Sequence, residues 1–218
     1  ALADMRDVIA PDWPGFGRDA ARQPLQGLPA YADAIIALAD ELGIDGFDVL
    51  GHSFSGFVAQ QLLCAAPGRV GCAVLYGAGV RVDPAARFEP MDQTLARLRA
   101  EGPRATASRV LATWFQMGER APAYAACLED GMTMSASGAA SMIAAVDGVD
   151  FTRALAAVRA PVLVISGEHE RSHPLPSALA LRASLTRGSL CVLPDCGHAA
   201  HLERPRLFNA AVRGFLAE

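Results

Sequence analysis

One octapeptide, Val49-Leu50-Gly51-His52-Ser53-Phe54-Ser55-Gly56, holds a serine among residues suited to nucleophilic chemistry. An apolar run, residues 47–50, enters it, and a helix-compatible run, residues 57–66, leaves it. A serine between a strand and a helix, flanked two positions away by very small residues, has the layout of a nucleophile elbow. The turn has no room for bulk at the flanking positions, and it pushes the serine Oγ clear of the sheet. The N–H of Phe54 then points at the oxyanion that forms when Ser53 attacks a carbonyl. Position 55 is serine where an ideal elbow has glycine. The octapeptide alone therefore also fits a serine that caps a helix.

A neutral serine needs a base to take its proton and an acid to orient that base. Two further polar clusters supply those types. Gly167-Glu168-His169-Glu170-Arg171 follows the apolar run 162–165, and Gly197-His198 follows the apolar run 189–193. Serine, then acid, then histidine, each just past a predicted strand, is an order in which such triads occur. Of the remaining histidines, His52 is expected to pack sideways and His201 to pack or cap near the last helix. His169 and His173 are expected on loop surface. The chain contains no lysine, which excludes Schiff-base chemistry and a Ser–Lys dyad.

The elements that must position these residues alternate. Strands are expected at 6–10, 47–50, 70–76, 162–165 and 189–193. Helices are expected at 29–42, 57–66, 176–184 and 204–216, the last with Leu207, Phe208, Val212 and Phe215 on one side. The apolar run 47–50 suits a strand covered on both faces. Such alternation predicts an α/β fold, a mostly parallel sheet with helices on both faces, and chemistry gathers at the carboxyl ends of its strands. Between 80 and 149 the rhythm breaks. Helical patches at 91–99, 108–117, 123–128 and 137–146 replace strands. The expected organisation is a core of 1–79 and 150–218 with a helical cap, or lid, insertion at 80–149. A few of its methionine and aromatic side chains would line an apolar pocket.

Composition narrows the function classes. The chain has 218 residues, is 52% hydrophobic and carries a net charge of −4. No apolar run approaches the ~20 residues of a membrane span, and no basic cluster favours nucleic acid or anionic membranes. The start has no basic region followed by an apolar one, so no signal peptide is expected. The five cysteines (Cys64, Cys72, Cys127, Cys191, Cys196) form no C-x-x-C pair and read as buried small residues in a reducing, cytoplasmic setting. No metal-ligand spacing is present, and no metal or cofactor is expected.

Four motifs then carry a resemblance. Asp12-Trp13-Pro14-Gly15-Phe16-Gly17 resembles "D-x-P-G-F-G", and residues 51–56 resemble "G-H-S-x-G-G". Residues 161–174 resemble "P-x-L-x-x-x-G-x-x-D" with a proline four past the acid. Residues 194–216 resemble "P-x-x-G-H" followed by "H-x-E-x-P", compare His201-Leu202-Glu203-Arg204-Pro205, and an apolar closing helix. In order and spacing the chain resembles the α/β-hydrolase superfamily, in its branch of small serine esterases and lactonases. The resemblance implies Ser53 as nucleophile, His198 as base and the Phe54 N–H as an oxyanion donor. It implies Glu170 as acid, where the family usually has Asp, in preference to Glu168. The implied activity is hydrolysis of a carboxylic ester or lactone of a small, largely apolar substrate through an acyl-enzyme. C–C bond hydrolysis with the same triad, a non-turnover ligand-binding role and an inactive fragment are the alternatives. The family opens with further strands and a His-Gly loop that gives a second oxyanion N–H, and nothing here resembles that loop. An N-terminally incomplete sheet, impaired activity and a homo-oligomer through an open sheet edge are the corresponding expectations.

Overall fold

The computed structural model describes residues 2–83 and 88–218. Residue 1 and residues 84–87 of the 80–149 segment lie outside them. Four strands form one parallel sheet in the order β1-β2-β3-β4: β1 Phe47–His52, β2 Val70–Tyr76, β3 Val162–Gly167 and β4 Gly188–Leu193. Eight helices accompany them among the described residues: α1 Gly27–Glu41, α2 Phe54–Ala65, α3 Met91–Ala112, α4 Tyr124–Gly131, α5 Ala136–Ala145, α6 Leu175–Ala183, α7 Ala200–Glu203 and α8 Pro205–Leu216.

The period-2 alternation of strand side chains divides β2 and β3 between two cores. Ala73, Leu75, Val162 and Val164 face α1, α2 and α6, where Tyr31, Phe57, Leu62, Leu63 and Leu181 are buried. Val74, Tyr76, Leu163 and Ile165 face Phe208 and Val212 of α8. The sheet is therefore covered on both faces, as the alternating pattern predicts.

Three expectations are corrected. Residues 6–10 form no strand, and Val8 is 58% exposed. Their apolar pattern finds no ladder of hydrogen bonds, without which it specifies no strand. The strand at 47–52 is an edge strand, with Leu50 42% exposed, not one covered on both faces. Its Asp48 lies outward, accepting from the Cys72 N–H at 3.1 Å and pairing with Arg6 at 3.4 Å. Leu207 is exposed on α8, because the buried stripe runs through Phe208 and Val212.

Helices replace strands between β2 and β3. Gly102 (φ +81°) and Pro103 kink α3 and divide it into two runs. Where this segment leaves and rejoins the sheet, Arg81 and Asp150 form an isolated antiparallel bridge, and the Phe151 N–H donates to the Val80 carbonyl at 3.0 Å. Its own core is Ala107, Leu111, Phe115, Ala121 and Tyr124, and Ala199 belongs to the same cluster. Ala199 thus joins the core of the helical segment to the loop that carries His198.

Candidate active site

Ser53 ends the β1–α2 turn with φ +52° and ψ −115°, a conformation that few non-glycine residues adopt. Local packing explains how the turn is held. A Cβ on Gly51 would collide with the Ser55 carbonyl, and one on Gly56 would lie 2.6 Å from the Ala78 Cβ. Ser55, in contrast, has room, and its Oγ lies 3.5 Å from Trp13 Nε1, which donates to it. The crowding that forces glycine falls at 51 and 56, so a serine at 55 is compatible with the elbow. Ser53 occupies the N-cap position of α2, yet its side chain makes no capping bond. The Phe54 N–H, first of the helix, has no acceptor within the helix.

Strand ends bring the acid and the histidine to the same place. The Ser53 N–H donates to the Tyr76 carbonyl at 2.8 Å, which sets the elbow beside the end of β2. A Cβ on the next residue, Gly77 (φ +55°), would lie 3.0 Å from His198 Nδ1 and Cε1 and 3.2 Å from Glu170 Oε2. Only glycine suits that position on both counts. His198 is fully buried, and its Nδ1–H donates to Glu170 Oε2 at 2.6 Å. That bond fixes the tautomer. Nε2 is left as a bare lone pair, and it carries no hydrogen bond among the described residues. Ser53 Oγ is accordingly not bonded to it in this state. Such bonds are often long without substrate and tighten in the complex.

Glu170 is anchored at both oxygens. Its Oε1 accepts from the Ser172 N–H at 2.6 Å and the His173 N–H at 3.2 Å. Burial pushes the carboxyl pKa up. The His198 imidazole and the three N–H bonds more than offset this and hold it below the usual glutamate value. Glu168, the competing acid, is exposed and accepts from the Asp195 N–H at 3.0 Å. Glu168, His169 and Asp195 bring three metal-capable side chains within reach of one another, but all are exposed and Asp195 already pairs with Arg204.

Several residues around His198 carried no clear sequence signal. His52 Nε2–H donates to the His198 carbonyl at 3.0 Å, and the Tyr76 hydroxyl donates to the same oxygen. His52 also stacks on Tyr76 with ring centres 4.3 Å apart. Burial, then the neighbouring His198 and His201, keep the His52 pKa well below the usual histidine value. Burial and His198 lower that of His201 too. The Trp114 ring centre lies 5.0 Å from that of His198. His173 is buried against Phe57, not on loop surface, because the Glu170 carboxylate draws its backbone inward. Of the five cysteines, all free, only Cys196 is buried; the others are half-buried. Burial pushes the Cys196 thiol up to about 11, which leaves it a poor nucleophile.

A family model described as "Alpha/beta hydrolase family" matches residues 1–211. The chain is 32% identical to 2-hydroxymuconate semialdehyde hydrolase of Pseudomonas sp. (strain CF600), over 100% of this chain and 78% of that protein. Among solved structures it is similar to the enol-lactonase from Burkholderia xenovorans LB400, with TM-score 0.85 and 25% identity over 95% of this chain and 79% of that one. It is also similar to a thermophilic esterase from Thermogutta terrifontis, with TM-score 0.83 and 25% identity over 99% and 81%. No helix of the described residues is long and apolar enough to cross a membrane.

Proposed function

The chain belongs to the alpha/beta hydrolase family, and on that premise we propose that it is a serine hydrolase of a small, largely apolar carboxylic ester or lactone. The observation that carries this reading is the buried Glu170–His198 pair, which leaves Nε2 without a partner, together with a strained serine at the end of β1 whose Oγ caps nothing. The similarity to an enol-lactonase and to an esterase supports the substrate class.

In this mechanism His198 Nε2 takes the Ser53 proton as Oγ attacks the carbonyl carbon. The carbonyl oxygen becomes an oxyanion that accepts from the Phe54 N–H. Glu170 stabilises the imidazolium through Nδ1–H. Collapse breaks the C–O bond of the ester or lactone, and the leaving alkoxide takes the proton from Nε2. Water, deprotonated by the same nitrogen, then attacks the acyl-enzyme; collapse breaks the acyl–Oγ bond, Oγ takes the proton back from Nε2, and the acid leaves. The helices of 80–149 act as a cap, with Trp114 forming the apolar wall against His198.

The test is labelling with a fluorophosphonate, with mass mapping of the adduct, on wild type, Ser53→Ala and His198→Ala. One adduct on Ser53, lost in both variants, is the expected result, followed by turnover in a p-nitrophenyl ester series. No adduct on folded wild type would overturn the reading. C–C bond hydrolysis is the second reading, favoured by the 32% identity to 2-hydroxymuconate semialdehyde hydrolase. A labelled enzyme that ignores esters and lactones but cleaves a 2-hydroxy-6-oxo-dienoate would select it.

A further inference from the structure

The two peptide units on either side of the Gly197–His198 link, 196–197 and 198–199, are each tied to neighbouring groups. The His198 carbonyl is held from the sheet side, by the Tyr76 hydroxyl and His52 Nε2–H. The N–H of that same unit and the N–H of the 196–197 unit are held by groups outside the sheet. The Ala199 N–H donates to the Trp114 carbonyl at 3.0 Å. The Gly197 N–H donates to Glu203 Oε2 at 2.7 Å.

The same carboxylate has a second partner. Glu203 Oε1 accepts from the Gln116 N–H at 2.8 Å. One side chain therefore joins the loop before His198 to the residues that follow α3. The junction is close: a Cβ on Gly197 would sit 2.7 Å from the Trp114 carbonyl oxygen. Trp114 itself lies against the His198 ring. Three bonds therefore tie residues 114–116 to the loop that carries His198.

We propose that Glu203 is a positioning residue for His198, coupling the placement of this base to the seating of residues 114–116. The proposal rests on the serine hydrolase reading above. A carboxylate is suited to the task because two ionised oxygens accept from two separate backbone donors, in bonds stronger than neutral ones. Glutamine offers one acceptor oxygen, and its NH2 would face the second N–H donor to donor. Alanine leaves both N–H groups unpaired. Neither change touches the Tyr76 and His52 bonds or the Ala199–Trp114 bond, so the loop keeps those ties and loses only the link through Glu203.

The experiment compares wild type, Glu203→Gln and Glu203→Ala, with reactive sites counted by fluorophosphonate titration. Values of kcat and KM per titrated site are then measured on p-nitrophenyl acetate and butyrate. A group that only supports the fold would reduce the number of titratable sites and leave kcat per site alone. The expected result is a fall of about tenfold in kcat per site for Glu203→Ala, with KM within about twofold, and about threefold for Glu203→Gln. Wild-type kcat per site in both variants, or a loss confined to KM, would overturn the proposal. If Glu203→Ala does not accumulate as folded protein, the near-isosteric Glu203→Gln decides between threefold and no change. A wild type that fails to label at Ser53 would refute the hydrolase reading itself, whereas a labelled wild type with indifferent variants refutes only the coupling.

Discussion

Glu170 has one methylene more than the aspartate that this position usually carries, and the structure accommodates it locally. The backbone turns after the acid so that the Ser172 and His173 N–H groups meet Oε1, leaving Oε2 directed at His198 Nδ1. Shortening the side chain would strain either the two backbone bonds or the bond to histidine. Replacing it with glutamine would offer an amide that favours the wrong imidazole tautomer. Glu170→Gln is expected to lower kcat on a p-nitrophenyl ester by ~10³–10⁴. Glu168→Gln, altering an exposed carboxylate bonded to Asp195, is expected to stay within about twofold. Equal losses in the two variants would reject this division of roles.

At the scale of elements, the ends of β1, β2 and β3 and the loop after β4 do the positioning. The end of β2 is the hinge of the arrangement, since Tyr76 holds the elbow N–H and the His198 carbonyl, while Gly77 makes room for the acid–histidine pair. Gly77→Ala combines a positive φ with a Cβ 3.0 Å from the imidazole. It is expected to lose ~1–3 kcal/mol of stability and most fluorophosphonate labelling. A Gly77→Ala protein with full labelling and an unchanged melting temperature would contradict this packing. Behind the elbow, Leu62 of α2 is fully buried against the sheet. Leu62→Ala is expected to lower unfolding free energy by ~2–5 kcal/mol, measured by urea titration, because the cavity would lie between two rigid elements.

For the whole molecule, half-buried histidines make stability depend on pH. His52 and His201 are held neutral by burial and by neighbouring imidazoles. In the unfolded chain they gain protons as the pH falls through ~6.5. Below that pH the unfolded state binds more protons than the folded one, so stability rises with pH and falls on acidification. The loss grows until the pH reaches the depressed native values. Glu170 acts in the same direction at lower pH: its pKa is lowered on folding, so its contribution is present above the unfolded glutamate value of ~4.3 and is lost as pH falls through the native one. Melting temperature is therefore expected to drop between pH 7.5 and 5.5, with a shallower slope in His52→Gln. An identical slope in that variant would remove His52 from the account.

The alternation of strand and helix, the apolar faces of β2 and β3 and the order serine, acid, histidine at strand ends were all legible in the sequence. They are local patterns or matters of chain order, and both are one-dimensional. The double-sided sheet follows from them, because elements with one apolar stripe must bury it against another element. Residues 6–10 show where local pattern stops, since a strand exists only with a neighbour to pair with. The edge position of β1, the burial of His173 and the exposure of Leu207 likewise depended on which elements came to lie beside them. The strongest decisions of tertiary structure concern the surroundings of His198. His52 reaches its carbonyl from 146 positions away, and Glu203 reaches Gln116 across 87. Histidine, tyrosine and glutamate carry no mark of such partners in their own neighbourhoods. Folding alone brings their donors and acceptors within hydrogen-bond distance.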